Sequence, residues 1–212
     1  FAAVTQLFTY GEYTIFHPGS GRLGTLNSAE LLNPFSEIRA DLRLSAYAAV
    51  FSELIDRMVP EDEAGEHLFE QYRAALEGLE AGKDPEVLLF LLQLKLFRFA
   101  GIAPVLDQCA ECGRSPLSDR ETRAGWSPTA GGVVCDRCLA AIPDGTPLPE
   151  KAVGLLPVLA RADLRRIGEV NVSRSTKDAV KQALRRWMDR HGGVRLKSQA
   201  VLDRIEAVYK DP

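Results

Sequence analysis

The sequence lacks several features that define large classes of proteins. It has only 3 His among 212 residues, and no run of about 18 apolar residues that could cross a bilayer. The patterns G-x-x-x-x-G-K, G-x-S-x-G and H-E-x-x-H are also absent, which removes the sequence support for P-loop, α/β-hydrolase and zincin chemistry. A chain of this length buries roughly 70% of its unfolded surface and needs no disulfide scaffold. Its four cysteines therefore require another explanation.

A secretion signal is missing as well. The chain begins Phe1-Ala2-Ala3-Val4, without an initiator methionine, a basic n-region or a cleavage site. We expect that a further segment precedes Phe1 in the whole protein. We also expect a cytoplasmic protein with reduced thiols and no membrane partner.

Charge is distributed unevenly along the chain. The net charge is −3, but residues 1–108 hold 8 Lys and Arg against 16 Asp and Glu, whereas residues 161–210 hold 13 against 6. The basic C-terminal region is able to meet phosphates, although a solvated face explains the same excess.

The N-terminal third of the chain has a β-like pattern. Runs at residues 4–10, 13–16 and 23–32 are separated by Gly-rich and Pro-rich turns, which predicts the end of a small antiparallel sheet. Its alternating aromatic residues either stack on bases or pack in the core; they are Phe8, Tyr10, Tyr13 and Phe16. The G-x-G-x-x-G of residues 19–24 predicts a hairpin turn rather than a dinucleotide site, because no helix follows it.

From residue 34 onward the apolar period is helical. We expect a helix capped by Ser36 and stopped by Pro60, a second helix ending near Gly82, and a third that starts at Asp84-Pro85 and is apolar nearly all round. Two further helical patterns follow a Pro/Gly linker; they include residues 179–188 and 198–209, with Val201, Leu202, Ile205 and Val208 facing the core.

The four cysteines form two C-x-x-C pairs. Cys109 and Cys112 are separated by 22 residues from Cys135 and Cys138. Two such pairs can complete a tetrahedral zinc shell, and Gly113 suits the turn of the first pair. Four thiolates leave no open position, so the predicted zinc is structural rather than catalytic. Metal-free thiols or disulfides, and redox catalysis, are the alternatives. We expect the three histidines to be surface or cap residues.

Basic residues gather near the C-terminus around the helix breaker His191-Gly192-Gly193. The candidate nucleic-acid contacts are Lys181, Arg185, Arg186, Arg190, Arg195 and Lys197. Glycines there let the backbone approach a phosphate while the cations supply charge. The alternative is that these side chains border the Trp187 face and pair with helix acids.

Four segments in order along the chain resemble the bacterial recombination-mediator family RecO. They are A-E-L-L-N-P-F at residues 29–35, A-P-V-L-D-Q-C-A-E-C-G at 103–113, S-P-T-A-G-G-V-V-C at 127–135 and G-V-R-L-K-S at 193–198. The resemblance covers nearly the whole chain.

The resemblance implies an α+β protein with an N-terminal OB-fold and a helical domain that carries an inserted four-cysteine zinc module. Residues 1–33 supply only the C-terminal part of the OB-fold, so Arg22 is the one position left for its basic surface. The expected divisions are residues 34–108 and 143–212 for the two parts of the helical domain, and 109–142 for the zinc module.

The resemblance also implies a non-enzymatic, nucleoid-associated protein of recombinational DNA repair. Such a protein binds single- and double-stranded DNA, anneals complementary strands, works with RecR, and helps to load recombinase on DNA coated by the single-strand-binding protein SSB. A hydrophobic pocket rimmed by basic residues would suit the acidic C-terminal tail of SSB. The alternative is a zinc-ribbon adaptor that binds protein peptides without touching DNA.

Overall fold

The computed structural model describes residues 3–19, 23–60, 65–117 and 124–210. The strands are β1 (Tyr10–Phe16), β2 (Thr25–Asn33), β3 (Gly125–Ser127), β4 (Gly132–Val134) and β5 (Thr146–Pro147). The α-helices are α1 (Ser36–Ala40), α2 (Leu42–Met58), α3 (Glu66–Glu80), α4 (Pro85–Phe99), α5 (Asp136–Leu139), α6 (Glu150–Arg161), α7 (Arg174–Trp187) and α8 (Lys197–Lys210). A 3₁₀ turn spans Leu164–Arg166, and a π-helical turn spans Met188–Gly192. The fold is therefore α+β, as predicted.

The N-terminal sheet of the described residues is a two-stranded hairpin. Strands β1 and β2 pair antiparallel with Tyr13 opposite Ala29, so the G-x-G-x-x-G segment joins two hairpin strands, although residues 20–22 lie outside the described part. The predicted strand at residues 4–10 is wrong, because residues 3–8 form turns and Phe8 adopts a φ of 63°. That turn lets Phe8 pack against the helical core instead of continuing a strand.

The four alternating aromatic residues divide between two environments. Phe8 and Tyr10 are half-buried against the helical core, and the Tyr10 ring lies 5.9 Å from that of Phe69 on α3. Tyr13 and Phe16 are 41% and 63% exposed. Core packing therefore accounts for the first two rings only.

Helix α4 is the buried centre of the helical domain, as its apolar sequence predicts. All residues from Glu86 to Leu94 are at most 5% exposed, and α2, α3, α6 and α7 pack around the helix. Asp84 caps its N-terminus, since Asp84 Oδ1 accepts hydrogen bonds from the backbone N–H groups of Glu86 and Val87 at 3.0 and 3.2 Å. Pro85 occupies the first turn, where its missing N–H is not needed.

Two sequence expectations in the helical regions are wrong in detail, and one helix was not predicted. Ser36 begins the short α1 rather than capping a long helix, and Asp41 caps α2 by accepting from the Leu44 N–H at 2.8 Å. On α8, Val201 and Val208 are 52% and 74% exposed, whereas Leu202 is fully buried. Helix α6, which contains Pro157, was not predicted.

The cysteine-rich segment forms a small sheet with strand order β4-β3-β5 beside α5. This sheet extends to β5, which lies in the predicted Pro/Gly linker. Trp126 on β3 is fully buried and joins the segment to the main core. Among the described residues, no helix is long and apolar enough to cross a membrane.

Candidate metal centre and basic surface

The four cysteine sulfurs converge in one place. All four Sγ atoms lie within 4.8 Å of one another, and Cys112 Sγ is 3.7 Å from Cys135 Sγ. A tetrahedral ion with metal–sulfur bonds of about 2.3 Å separates its sulfur ligands by about 3.8 Å. The geometry and the donor set therefore fit one tetrahedral metal ion held by two C-x-x-C pairs.

The first pair lies on a tight turn. Cys109 donates its N–H to the Arg114 carbonyl at 2.7 Å, and Gly113 donates its N–H to the Cys109 carbonyl at 2.8 Å. Gly113 has a φ of 74°, a left-handed conformation that glycine adopts without steric cost. The glycine after the first pair thus has the role expected of it.

The second pair needs no such glycine because it opens a helix. Cys135 precedes α5, and its carbonyl accepts the Leu139 N–H at 2.9 Å. The Leu139 side chain packs beside Gly125 and Gly145, where a β-carbon on either glycine would lie within 2.7 Å of a Leu139 methyl carbon. Leucine therefore fills the small core beneath the sulfurs.

Backbone dipoles favour negative charge at the first sulfur. Burial opposes ionisation of Cys109, but the N–H groups of Cys135, Cys112 and Glu111 outweigh it and lower the pKa of Cys109 to about 6. Burial and hydrogen bonds to the other sulfurs raise the pKa of Cys138 to about 12. The surroundings thus favour the thiolate at Cys109, and a bound cation would favour the thiolate form of all four cysteines.

Aromatic and polar contacts fasten the cysteine-rich segment to the helical domain. The rings of Trp126 and Trp187 meet edge to face, with 5.5 Å between their centroids. His191 Nε2 lies 2.9 Å from the Pro128 carbonyl, and Arg186 donates to the Asp144 carbonyl. His191 therefore bridges the two parts of the fold instead of lying free at the surface.

Three of the candidate DNA-contacting cations are engaged inside the fold. Lys181 lies 3.4 Å from the buried carboxylate of Glu86. Arg185 pairs with Asp203, and Arg186 holds the loop before β5 through Asp144. Pairing with acids, the alternative considered from the sequence, describes Lys181 and Arg185. Arg186 instead donates to the Asp144 carbonyl and the Thr146 hydroxyl, which do not belong to a helix.

The other cations form a separate group, which we call the basic turn: Arg190, Arg195 and Lys197. All three are exposed, and within the described residues no ion pair forms at any of them. They flank Gly193, whose φ of 63° reverses the chain between α7 and α8. Arg22 lies outside the described residues.

The sequence analysis missed a buried charge network between α2, α4, α7 and α8. Glu86 is 1% exposed, and it accepts a hydrogen bond from Arg174 at 3.0 Å and lies 3.5 Å from Lys177. Glu206 is 3% exposed and accepts from Arg43 Nε at 2.6 Å. Glu86 lies in the first turn of a helix whose next six residues are all apolar, and that contrast is a sequence signal that could have pointed to it.

Comparison with known proteins places the chain in a family. The family model described as "Recombination protein O C terminal" matches residues 39–200. The chain belongs to the RecO family. "DNA repair protein RecO" of Bacillus pumilus (strain SAFR-032) is a RecO relative 34% identical over 209 residues, which cover 99% of this chain and 79% of that protein.

Two further RecO relatives have the same printed name. The protein of Halalkalibacterium halodurans is 32% identical over 206 residues, which cover 97% of this chain and 78% of that protein. The protein of Listeria monocytogenes serotype 4a is 33% identical over 205 residues, with the same coverage. The RecO resemblance found in the sequence is confirmed.

Proposed function

We propose that this protein is a DNA-binding mediator of recombinational repair. It anneals complementary single strands and, together with RecR, assists recombinase loading on SSB-coated DNA in the bacterial cytoplasm, at the nucleoid. The observation that carries DNA binding is the basic turn, where Arg190, Arg195 and Lys197 are exposed without ion pairs among the described residues. The relatives named as DNA repair proteins support the wider role, and RecR as a partner rests on the family alone.

The internal pairing of the other cations sharpens this proposal. Lys181, Arg185 and Arg186 are held by carboxylate or carbonyl groups, so contacting a phosphate would require each to lose a partner. The basic turn has no such cost. We therefore assign the phosphate contacts to the basic turn and a structural role to the three paired cations.

The proposed mechanism involves no enzymatic step. Annealing makes and breaks no covalent bond; it requires neutralisation of two polyanions and access to their bases. We propose that Cys109, Cys112, Cys135 and Cys138 hold one structural zinc ion. Because four thiolates complete a tetrahedral shell, no position is left for a metal-bound water.

The salt dependence of binding tests the assignment of the basic turn. In a fluorescence titration with single-stranded DNA, the slope of log K against log salt should decrease by roughly 1.4 in the Arg195→Gln/Lys197→Gln variant, at about 0.7 for each lost phosphate contact. A matched control, Lys151→Gln/Arg166→Gln, removes one lysine and one arginine that are exposed elsewhere and form no ion pair among the described residues. Equal slopes in the two variants contradict a direct role for the basic turn.

A different groove supports the binding of a protein partner. A cavity of about 500 Å³ at the C-terminal end of α4 is lined by Lys95, Arg98 and Phe99, together with His67 and Leu68 of α3, and no carboxylate lines it among the described residues. An apolar groove with two cations suits an acidic peptide. We assign the SSB C-terminal tail to this groove as the protein partner of the mediator.

The same groove is the basis of the alternative function, an adaptor that binds peptides without DNA. Titration with a fluorescent SSB-tail peptide should show binding that Arg98→Glu weakens, while single-stranded DNA binding is unaffected by that substitution. If wild-type protein binds the peptide but not DNA at low salt, the adaptor function replaces the mediator function.

A further inference from the structure

A cavity of about 290 Å³ lies beside the basic turn, between α4, the π-helical turn and α8. Met188 and Leu196 form part of its apolar wall, and Arg195 lies at the same cavity. Its volume is near the lower end for small-molecule sites, about 300–1,000 Å³. The cavity therefore suits one flat ring system rather than a length of folded chain.

Gln93 is the polar group that marks this cavity as a binding site. It lines the cavity from α4 and is only 5% exposed. Within the described residues, its side-chain amide makes no hydrogen bond, and its polar atoms are not fully enclosed, so they are open to the cavity. An amide offers both a donor and an acceptor. A ligand that presents a complementary donor and acceptor would complete it.

The apolar wall is fixed by the unusual backbone at the end of α7. A π-helical turn at Met188–Gly192 directs the chain away from α7, and such turns are frequent at functional sites. A β-carbon on Gly192 would lie 2.2 Å from Met188 Sδ. Glycine at this position therefore lets the Met188 side chain pack across the turn.

The charge of the lining indicates a neutral ligand. Arg185 and Arg195 are balanced by Asp189 and Asp203, and Arg185 already pairs with Asp203. Two carboxylates in the lining would repel an acidic peptide or a phosphate placed inside. Arg195 is exposed and is free to meet a phosphate outside the cavity.

We propose that this cavity holds one unstacked nucleobase of a single-stranded nucleic acid. Gln93 pairs with the edge of the base, Met188 and Leu196 contact its faces, and Arg195 meets an adjacent phosphate. A nucleobase is flat, neutral, and carries donors and acceptors on one edge, as the lining requires. The proposal rests on the proposed DNA-binding function and deepens it by assigning the base as well as the backbone.

Methionine methyl NMR tests the proposal directly, because the chain has only 2 Met. The methyl signal of Met188 should move on saturation with an oligothymidylate, owing to the ring current of the bound base. It should stay in place on saturation with an abasic oligomer of equal length. Met58 on α2 serves as the internal control, and fluorescence anisotropy verifies that each oligomer is bound.

The outcomes separate this proposal from the proposed function. If both oligomers bind and move the Met188 signal equally, the cavity takes no base, although DNA binding stands. If neither binds at low salt, the DNA-binding function fails and the base site fails with it. A Met188 response to the SSB-tail peptide but not to oligothymidylate assigns the cavity to a peptide and overturns the proposal.

Two substitutions add a binding readout. Gln93→Leu removes the amide, and Ala200→Trp fills the cavity from an exposed position that accommodates a larger side chain. Each should weaken oligothymidylate binding roughly 5-fold or more and leave binding of heparin, a polyanion without bases, unchanged. Gln108→Leu, at an exposed glutamine, is the matched control. Unchanged oligothymidylate affinity in Ala200→Trp overturns the proposal.

Discussion

Trp126 of the cysteine-rich segment and Trp187 of α7 meet edge to face, at an interplanar angle of 63°. Both rings are at most 3% exposed, and Trp187 Nε1 donates to the Ile102 carbonyl at 2.8 Å. His191, in the π-helical turn, also packs against Trp187, with 4.1 Å between ring centroids. The candidate metal centre and the basic turn are therefore attached to the same aromatic cluster.

His191→Ala should loosen the cysteine-rich segment. The substitution removes the contact between His191 Nε2 and the Pro128 carbonyl and the ring packed on Trp187. We expect a loss of about 1–2 kcal/mol in the free energy of unfolding. Hydrogen exchange should become faster at residues 125–134. His17→Ala, at an exposed histidine, should change neither measurement.

Metal removal should be more damaging than any single side-chain change at the cysteine cluster. Structural zinc sites in finger peptides contribute roughly 10–16 kcal/mol of apparent binding free energy. We therefore expect about one zinc per purified chain, with loss of the small sheet on chelation. Metal analysis and the combined fluorescence of Trp126 and Trp187 provide the two measurements.

Replacing cysteine by serine, which is similar in size but binds zinc poorly, tests the metal centre. Cys109→Ser and Cys135→Ser should each lower the zinc content and the thermal midpoint, whereas Ser115→Ala, an exposed change in the same segment, should alter neither. A wild-type protein that is free of metal and equally stable after chelation would exclude the structural zinc.

Glu86→Ala should strongly destabilise the fold, because Glu86 is the buried acid of a charge cluster. The carboxylate is 2% exposed and faces Arg174, Lys177 and Lys181. Removing one member of a buried charge cluster typically costs 3–5 kcal/mol; because the cations reach solvent, we expect about 3 kcal/mol. Urea denaturation measures the change, and Glu12→Ala on the exposed hairpin is the control. A loss below about 1 kcal/mol would contradict the importance of the network.

The sequence predicted those features whose cause is local. Asp84-Pro85 specifies a helix start by itself, and a C-x-x-C pair followed by Gly113 specifies a metal-binding turn. The apolar surface of α4 likewise predicts burial on every side. In each case, the residues that determine the structure are adjacent or one helical turn apart.

The features that were missed depend on distant partners. Nothing near Lys181 in the sequence shows that Glu86, 95 residues away, lies opposite it, so contact with DNA and pairing with an acid were both open for this residue. The sequence around Phe8 is typical of a strand, but in the fold Phe8 packs against the helical core. Pro157 disfavours a helix locally. Helix α6 nevertheless forms, because the burial of Leu156 and Leu159 outweighs that local penalty.

Acid should weaken the contact between α2 and α8, but only at a pH below the range in which ordinary surface acids take up protons. Burial opposes ionisation of Glu206, but its hydrogen bond from Arg43 prevails, so the pKa of Glu206 is lower in the folded protein than in the unfolded chain. The hydrogen bonds from Arg165 and Gln71 likewise hold the pKa of Asp163 well below its usual range. In acid, the unfolded chain therefore binds more protons than the folded protein does.

The sign of the pH effect follows from these two depressed pKa values. The stabilisation is fully present above the unfolded pKa of a glutamate, about 4.3, and is lost as pH falls through the lower folded pKa values. We expect the thermal midpoint to decline from about pH 5 towards pH 2, and Glu206→Gln to reduce this dependence while lowering the midpoint at pH 7. Glu12→Gln, at an exposed strand position, should leave the pH profile as in the wild type. Because the amide introduced by Glu206→Gln has no charge to lose, an unchanged slope in that variant would show that other carboxylates govern the acid response.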